Sequence, residues 1–226
     1  MNVELRAMLE KMYDLLTEKF SDPVRSWDSL VEFLAVDNCG ELLYQLNHKF
    51  EWLFRDSKLA EAVMKTYDAE LLRSDYYDHL GEMYLERIVS KKEAERKGRV
   101  LTPMHAADSI AQMTIQRTNE PLRILDPAVG TGRLLMAAHK IAPNSTVFGV
   151  DTDLRLLRIA FTNLAIHNIS GYLLNADSLK HEINIATKDG RYNWQYANKW
   201  YSCMDRLKPL CKDRDHVSQI KLGSKE

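Results

Sequence analysis

The stretch Asp126-Pro127-Ala128-Val129-Gly130-Thr131-Gly132 sets a carboxylate just ahead of two glycines. Glycine has no Cβ, so the chain turns tightly there and a ligand can lie against bare backbone at the mouth of a following helix. A second carboxylate, Asp151, comes 25 residues after Asp126. At the end of a neighbouring strand it can accept hydrogen bonds from both hydroxyls of a ribose. A third feature, Asn175-Ala176-Asp177-Ser178, offers a carboxylate and adjacent amides to the edge of an adenine. Taken jointly the three describe a site shaped for a nucleoside. The competing reading makes them loop caps of an unrelated α/β domain.

Other nucleotide chemistries fit less well. A dinucleotide fingerprint wants a third glycine at position 135, where this chain has Leu135, and no G-x-x-x-x-G-K-[ST] phosphate loop occurs. Cys39, Cys203 and Cys211 form no metal knuckle and no disulfide framework, so buried thiols in a reducing compartment are expected. The aromatic run Tyr192-Asn193-Trp194-Gln195-Tyr196-Ala197-Asn198-Lys199-Trp200-Tyr201 is the remaining place for chemistry. Its alternation suits packing over a sheet edge. In the alternative, Trp194 stacks on a nucleobase while Asn193 or Asn198 hydrogen-bonds to it.

The elements around these residues change character along the chain. From Pro121 onward strands and helices alternate. Short strands are expected at Leu122 to Leu125, Thr146 to Val150 and Tyr172 to Leu174, with helices from about Gly132 to Ala142 and after the capping Asp153. A β-α-β-α-β run of this spacing predicts a parallel sheet with right-handed crossovers, and such sheets bind ligands outside the carboxyl ends of their strands. Before Gly98 the periodicity is helical. Leu5, Met8, Leu9, Met12 and Leu16 make one stripe, which Ser21 to Pro23 ends. Short helices follow at Ser29 to Ala35 and Glu41 to Lys49. Two more helical patterns lie between Lys58 and Lys97, the first with Leu59, Val63, Met64, Tyr67 and Leu71 on one face. Nothing in that region looks chemical. Thr102-Pro103 opens a further helix, with the Thr102 hydroxyl as expected cap and proline in the first helical position. The expected organisation is a helical region, 1–97, and a ligand-binding α/β domain, 98–226.

The bulk composition is that of an ordinary globular chain, 45% hydrophobic and 28% charged. No apolar run is long enough to span a membrane and no secretion signal opens the chain, so a cytoplasmic protein without a membrane partner is expected. The net charge of -1 hides an asymmetry: residues 1–97 hold 14 basic and 20 acidic side chains, residues 98–226 hold 17 and 12. The positive half lacks the dense Lys/Arg stripe of a strong phosphate-backbone binder.

DPAVGTGRLL resembles the S-adenosyl-L-methionine motif of the N6-adenine DNA methyltransferases, DPAxGTGxxL, and is most similar to the modification subunits of type I restriction systems. A TP-containing segment precedes that motif in the family, and here Arg99-Val100-Leu101-Thr102-Pro103 stands 24 residues before Pro127. Leu101 replaces the usual aromatic. Asp78-His79-Leu80-Gly81-Glu82-Met83-Tyr84 resembles the family's D-x-L-G-x-x-Y signature. The resemblance covers about residues 75–180. It implies an α/β, Rossmann-like methyltransferase sheet behind a helical N-terminal region, with S-adenosyl-L-methionine as cofactor. By the same resemblance Asp126, Pro127, Gly130 and Gly132 shape the methionine side of the pocket, and Thr102 and Pro103 close it. Asp151 takes the ribose and Asp177 the adenine amino group.

The family's acceptor-binding [DN]-P-P-[YF] motif has no counterpart, since the one proline after Asp177 is Pro209. That motif holds a flipped base by its amino group and face. With 49 residues after Asp177, the sheet is expected to be shortened or incomplete, its remaining strands at 183–186, 192–196 and 217–222, without room for a target-recognition domain. An adenine-N6 DNA methyltransferase-like protein is therefore expected, with DNA as partner. The open sheet edge is expected to be covered either by residues 183–222 or by a second copy or partner subunit, the mostly acidic N-terminal helices being the alternative contact surface. A catalytically silent cofactor-binding subunit, and a methyltransferase for RNA or a small molecule, are the alternatives.

Overall fold

The computed structural model describes residues 2–38, 56–89, 101–116 and 120–180. Asn193, Trp194, Asn198, the helix expected at Glu41 to Lys49, the boundary near Gly98 and the three later strands all lie outside these residues.

Helix α1 (Val3–Phe20) starts where the Asn2 side chain accepts from the Glu4 and Leu5 amides, and stops at Ser21, whose φ is 53°. Its stripe of Leu5, Met8, Leu9, Met12 and Leu16 is buried, as the spacing predicts. Helix α2 (Pro23–Asn38) differs from the short helix expected at Ser29 to Ala35. Pro23 starts this helix as well as ending the previous pattern. Proline has no amide hydrogen to leave unsatisfied at the first helical position, and the Asp22 side chain accepts from the Val24 and Arg25 amides. Trp27 on α2 is 1% exposed and packs between Tyr13 and Tyr84.

Residues 56–89 hold three helices, α3 (Ser57–Thr66), α4 (Ala69–Arg73) and α5 (His79–Arg87), where two helical patterns are expected from Lys58 onward. Each begins on an aspartate, Asp56, Asp68 or Asp78, whose carboxylate accepts amide hydrogens of the first turn. Met64, expected on the apolar face of α3, is 57% exposed. Helix α6 (Met104–Thr114) follows Thr102-Pro103, but Pro103 itself takes the capping position and no side chain bonds the cap. The Thr102 hydroxyl therefore does not have the capping role expected of it.

Three strands form one parallel sheet in the order β1-β2-β3: β1 (Arg123–Asp126), β2 (Thr146–Asp151) and β3 (Gly171–Asn175). Helices α7 (Arg133–Ile141) and α8 (Leu154–Ile166) are the crossovers, and a 3-10 turn, Ser178–Lys180, follows β3. The fold of the described residues is the Rossmann-like α/β arrangement with preceding helices that the sequence predicts. Strand alternation divides the sheet into two faces. Val147 and Leu173 join the main core, with Ile124 packed against it. In the same cluster lie residues of α1, α2, α5, α7 and α8. The opposite face carries the row Leu125, Phe148, Tyr172, in which Leu125 is 61% exposed and the two rings stack at 5.4 Å.

Candidate cofactor site at the strand ends

The glycine turn is built on conformations that side chains resist. Gly130 has φ +53° and Gly132 φ +91°, and a Cβ on Gly130 would meet no atom within 4 Å. Bare backbone thus faces open space at the start of α7. The turn is anchored at both ends: the Val129 amide donates to the Val150 carbonyl at 2.8 Å, and the Gly132 amide to the Val129 carbonyl at 2.8 Å.

Asp126 ends β1 and Asp151 ends β2. One Asp151 oxygen accepts the Gly130 amide at 2.8 Å and the other accepts the Asp153 amide at 2.8 Å. Asn175, Asp151's register partner on β3, donates its side-chain amide to the Asp151 carbonyl at 2.9 Å. Asp177 starts the 3-10 turn, where its carboxylate accepts the Leu179 amide at 3.0 Å. The structure thus brings Asp126, Gly130, Gly132 and Asp151 together through the turn and sets Asp177 just beyond the end of β3. Pro127 is exposed beside them.

Asp126 is the unusual member. Only 8% of it is exposed, and one oxygen accepts the Ala128 amide at 3.0 Å. The other, Oδ2, is buried without a hydrogen-bond partner among the described residues. Burial pushes its pKa above the ordinary carboxylate value, against the Ala128 amide that pulls it down, and the nearby charge of Asp151 adds to the rise. A buried acceptor with nothing to accept is costly, and such atoms call for a specific explanation.

A buried cluster that single-residue reasoning overlooked stands behind the turn. Asp78 is 0% exposed. Its Oδ1 accepts from the Gly81 amide and from Asn163 Nδ2, each at 2.7 Å. Its Oδ2 accepts from the Thr131 hydroxyl and from Arg133 Nε, the latter at 2.7 Å. The Arg133 guanidinium also donates Nη1 to the Thr102 carbonyl at 2.9 Å and Nη2 to Glu82 at 2.7 Å. Thr102 therefore reaches the glycine turn through Arg133. Asp78 and Glu82, from the helical region before Gly98, are thus hydrogen-bond partners of Thr131 and Arg133. One signal in the sequence was an asparagine, Asn163, inside an apolar helix, where an unpartnered amide would be out of place.

Among the described residues no cluster of histidine, cysteine and carboxylate side chains is arranged to hold a metal ion, and no helix is long and apolar enough to cross a membrane.

Comparison with known proteins adds three likenesses. The chain is 26% identical over 171 residues to a release factor glutamine methyltransferase of Thermodesulfovibrio yellowstonii, covering 73% of this chain and 57% of that one. A structure from Listeria monocytogenes, assigned as a class I S-adenosylmethionine-dependent methyltransferase, is similar with TM-score 0.49 and 19% identity, over 78% of this chain and 53% of the other. The methyltransferase subunit of a type I restriction-modification system from Streptococcus thermophilus is similar with TM-score 0.43 and 19% identity, over 78% and 45%. The chain thus spans about half the length of these relatives. Residues 75–213, well over half of the 226, match the N-6 DNA Methylase family, and the chain belongs to that family.

Proposed function

We propose that the chain binds S-adenosyl-L-methionine at the carboxyl ends of β1 to β3 and acts in methyl transfer to the exocyclic amine of adenine in DNA. The observation that carries this reading is the buried, unpartnered Oδ2 of Asp126 beside a turn of open glycine backbone. A cationic ammonium group of the cofactor's methionine end satisfies that oxygen and offsets its burial. Gly130 leaves the room, Gly132 lets the turn pass close against Ala160 of α8, and Pro127, Thr102 and Pro103 border the same end. Asp151 uses one lone pair of each oxygen on a backbone amide, which leaves a second pair on each for a ribose hydroxyl. Asp177 accepts from the adenine amino group.

Once bound, the cofactor supplies a methyl group on a sulfonium, an electrophile that needs little acid–base help. The chain's own task is alignment of an acceptor nitrogen and exclusion of water. Asn193 or Asn198, with Trp194 stacked on the base, holds the acceptor amine. DNA is the partner on the acceptor side. A second copy or a partner subunit covers the open edge of the sheet, and a monomer in sedimentation that leaves a long sheet edge bare would speak against that contact.

One second reading has an observation of its own. The glutamine-methylating relative suggests a protein amide as acceptor, which shares with adenine a planar nitrogen on an sp2 carbon. Parallel transfer of labelled methyl groups to unmethylated duplex DNA, a glutamine-bearing release factor, RNA and free adenosine separates the readings. Incorporation into DNA is expected, lost in an Asn193→Ala/Asn198→Ala double variant whose cofactor affinity holds. Labelling of the release factor, RNA or adenosine in preference overturns the DNA reading. Tight cofactor binding with no transfer to any acceptor makes the chain a silent subunit.

A further inference from the structure

The Asp78–Arg133 pair joins five segments, α5, the glycine turn, α7, α8 and the Thr102 segment, whose residues come from distant parts of the sequence. Asp78 caps α5, in the helical region. Thr131 belongs to the turn, Arg133 is the first residue of α7, Asn163 lies on α8, and the Thr102 carbonyl ends the segment before α6. Two carboxylate oxygens accept four hydrogens, and the guanidinium donates to three different groups. A buried ion pair is a poor source of net stability, because desolvation consumes most of the attraction. What a fully satisfied polar cluster does supply is a single geometry.

The local sequence is shaped to this carboxylate. A Cβ on Gly81 would lie 2.1 Å from Asp78 Oδ2, so a larger residue there would push the carboxylate from its four donors. The carboxylate cannot swing away without breaking the contacts to Thr131 and Arg133.

We propose that Asp78 and Arg133 are positioning residues that set the glycine turn and the Thr102-Pro103 segment in their cofactor-holding geometry, so that cofactor affinity depends on the docking of α5 against α8 and the glycine turn. This rests on the cofactor reading above. Asp78 and Arg133 need not touch the cofactor; they act through Thr131, the turn and Thr102. Breaking the pair lets the turn sample other geometries and scatters the groups that must converge on one ligand.

The test uses the full chain, titration calorimetry with S-adenosyl-L-methionine, and hydrogen exchange at the amides of residues 128–132 in the ligand-free protein. Asp78→Asn keeps the shape but sets an amide NH2 against donors. It should weaken binding by roughly ten- to a hundredfold, the range seen when groups that orient ligand-holding residues are removed, and speed exchange across the turn. Thr131→Val removes one donor and keeps the ion pair, so it should shift both readings the same way, by less, in a folded protein. Leu16→Ala, in the buried stripe of α1, is the control for lost stability alone. If the control matches the Asp78→Asn variant in affinity per folded molecule and in turn exchange, the cluster is merely structural and the proposal fails. If the unaltered chain binds no cofactor, the cofactor reading fails, and the exchange comparison alone then decides whether the pair holds the turn.

Discussion

In the proposed site, a cation bound beside Asp126 is linked to the proton that this carboxyl carries. Burial, with the added repulsion of Asp151, raises its pKa, so the folded protein keeps this proton to higher pH than the unfolded chain does. Without ligand, stability must therefore fall as pH rises from the ordinary carboxylate value through the raised one, since the folded state binds more protons in that window. A cation beside Oδ2 favours the charged carboxylate and expels the proton. Affinity for S-adenosyl-L-methionine should rise with pH across the same window and level off above it. Calorimetry in buffers of different ionisation heat should detect proton release inside the window, and Asp126→Asn should abolish both the release and the slope. Binding that is flat in pH and releases no proton would show that the cofactor leaves Asp126 alone. Asp126 was legible as a candidate because it precedes the glycines. Its unpartnered oxygen was not, because burial depends on chain segments far from it in sequence.

The contact between the helices before residue 90 and the sheet holds a second titrating device. Tyr76, between α4 and α5, stacks its ring on His167 at 4.2 Å and places its hydroxyl 3.1 Å from His139 Nδ1 at the end of α7. The Lys140 ammonium lies over the same ring at 5.1 Å. Burial holds the His167 pKa down to about 4, helped by His139 and Lys140 and opposed by Asp75 and Asp78, and burial also lowers His139. A histidine with a depressed folded pKa contributes stability that is fully present above its ordinary value near 6.5 and is lost as pH falls toward 4. For His167 the loss should approach roughly 3 kcal/mol at most, from about 1.4 kcal/mol per pKa unit. Denaturant unfolding between pH 7 and 4 should show this slope, and His167→Gln should flatten it. An unchanged slope in that variant would place the titration elsewhere. Elements of this kind were unevenly legible. The three strands were readable because each ends in the turn grammar of an acid, an asparagine or a glycine. The start of α2 was misread because proline ends one helix and begins the next, and only the bond from Asp22 tells which. The Thr102 cap failed because Pro103 took the capping position and the Thr102 carbonyl was drawn to Arg133.

At the largest scale, one continuous core runs from α1 and α2 through α8 to β2 and β3, so the helices before the sheet are packed into the same interior as the site they border. That packing explains why the part of the chain that looked chemically silent supplies Asp78 and Glu82. Their partners on the turn, α7 and α8 lie 51 to 85 positions away, beyond the reach of any local pattern. The opposite sheet face leaves Leu125 exposed and stacks Phe148 on Tyr172. Everything in the proposed function depends first on the cofactor. The direct measurement is a calorimetric titration of the intact chain with S-adenosyl-L-methionine at neutral pH, beside Asp151→Ala. The account predicts saturable binding by the unaltered chain, weakened by about 1–3 kcal/mol in the variant, the cost of leaving buried hydroxyls unpaired. A folded chain that takes up no cofactor, or a variant that binds as tightly as the original, would contradict it.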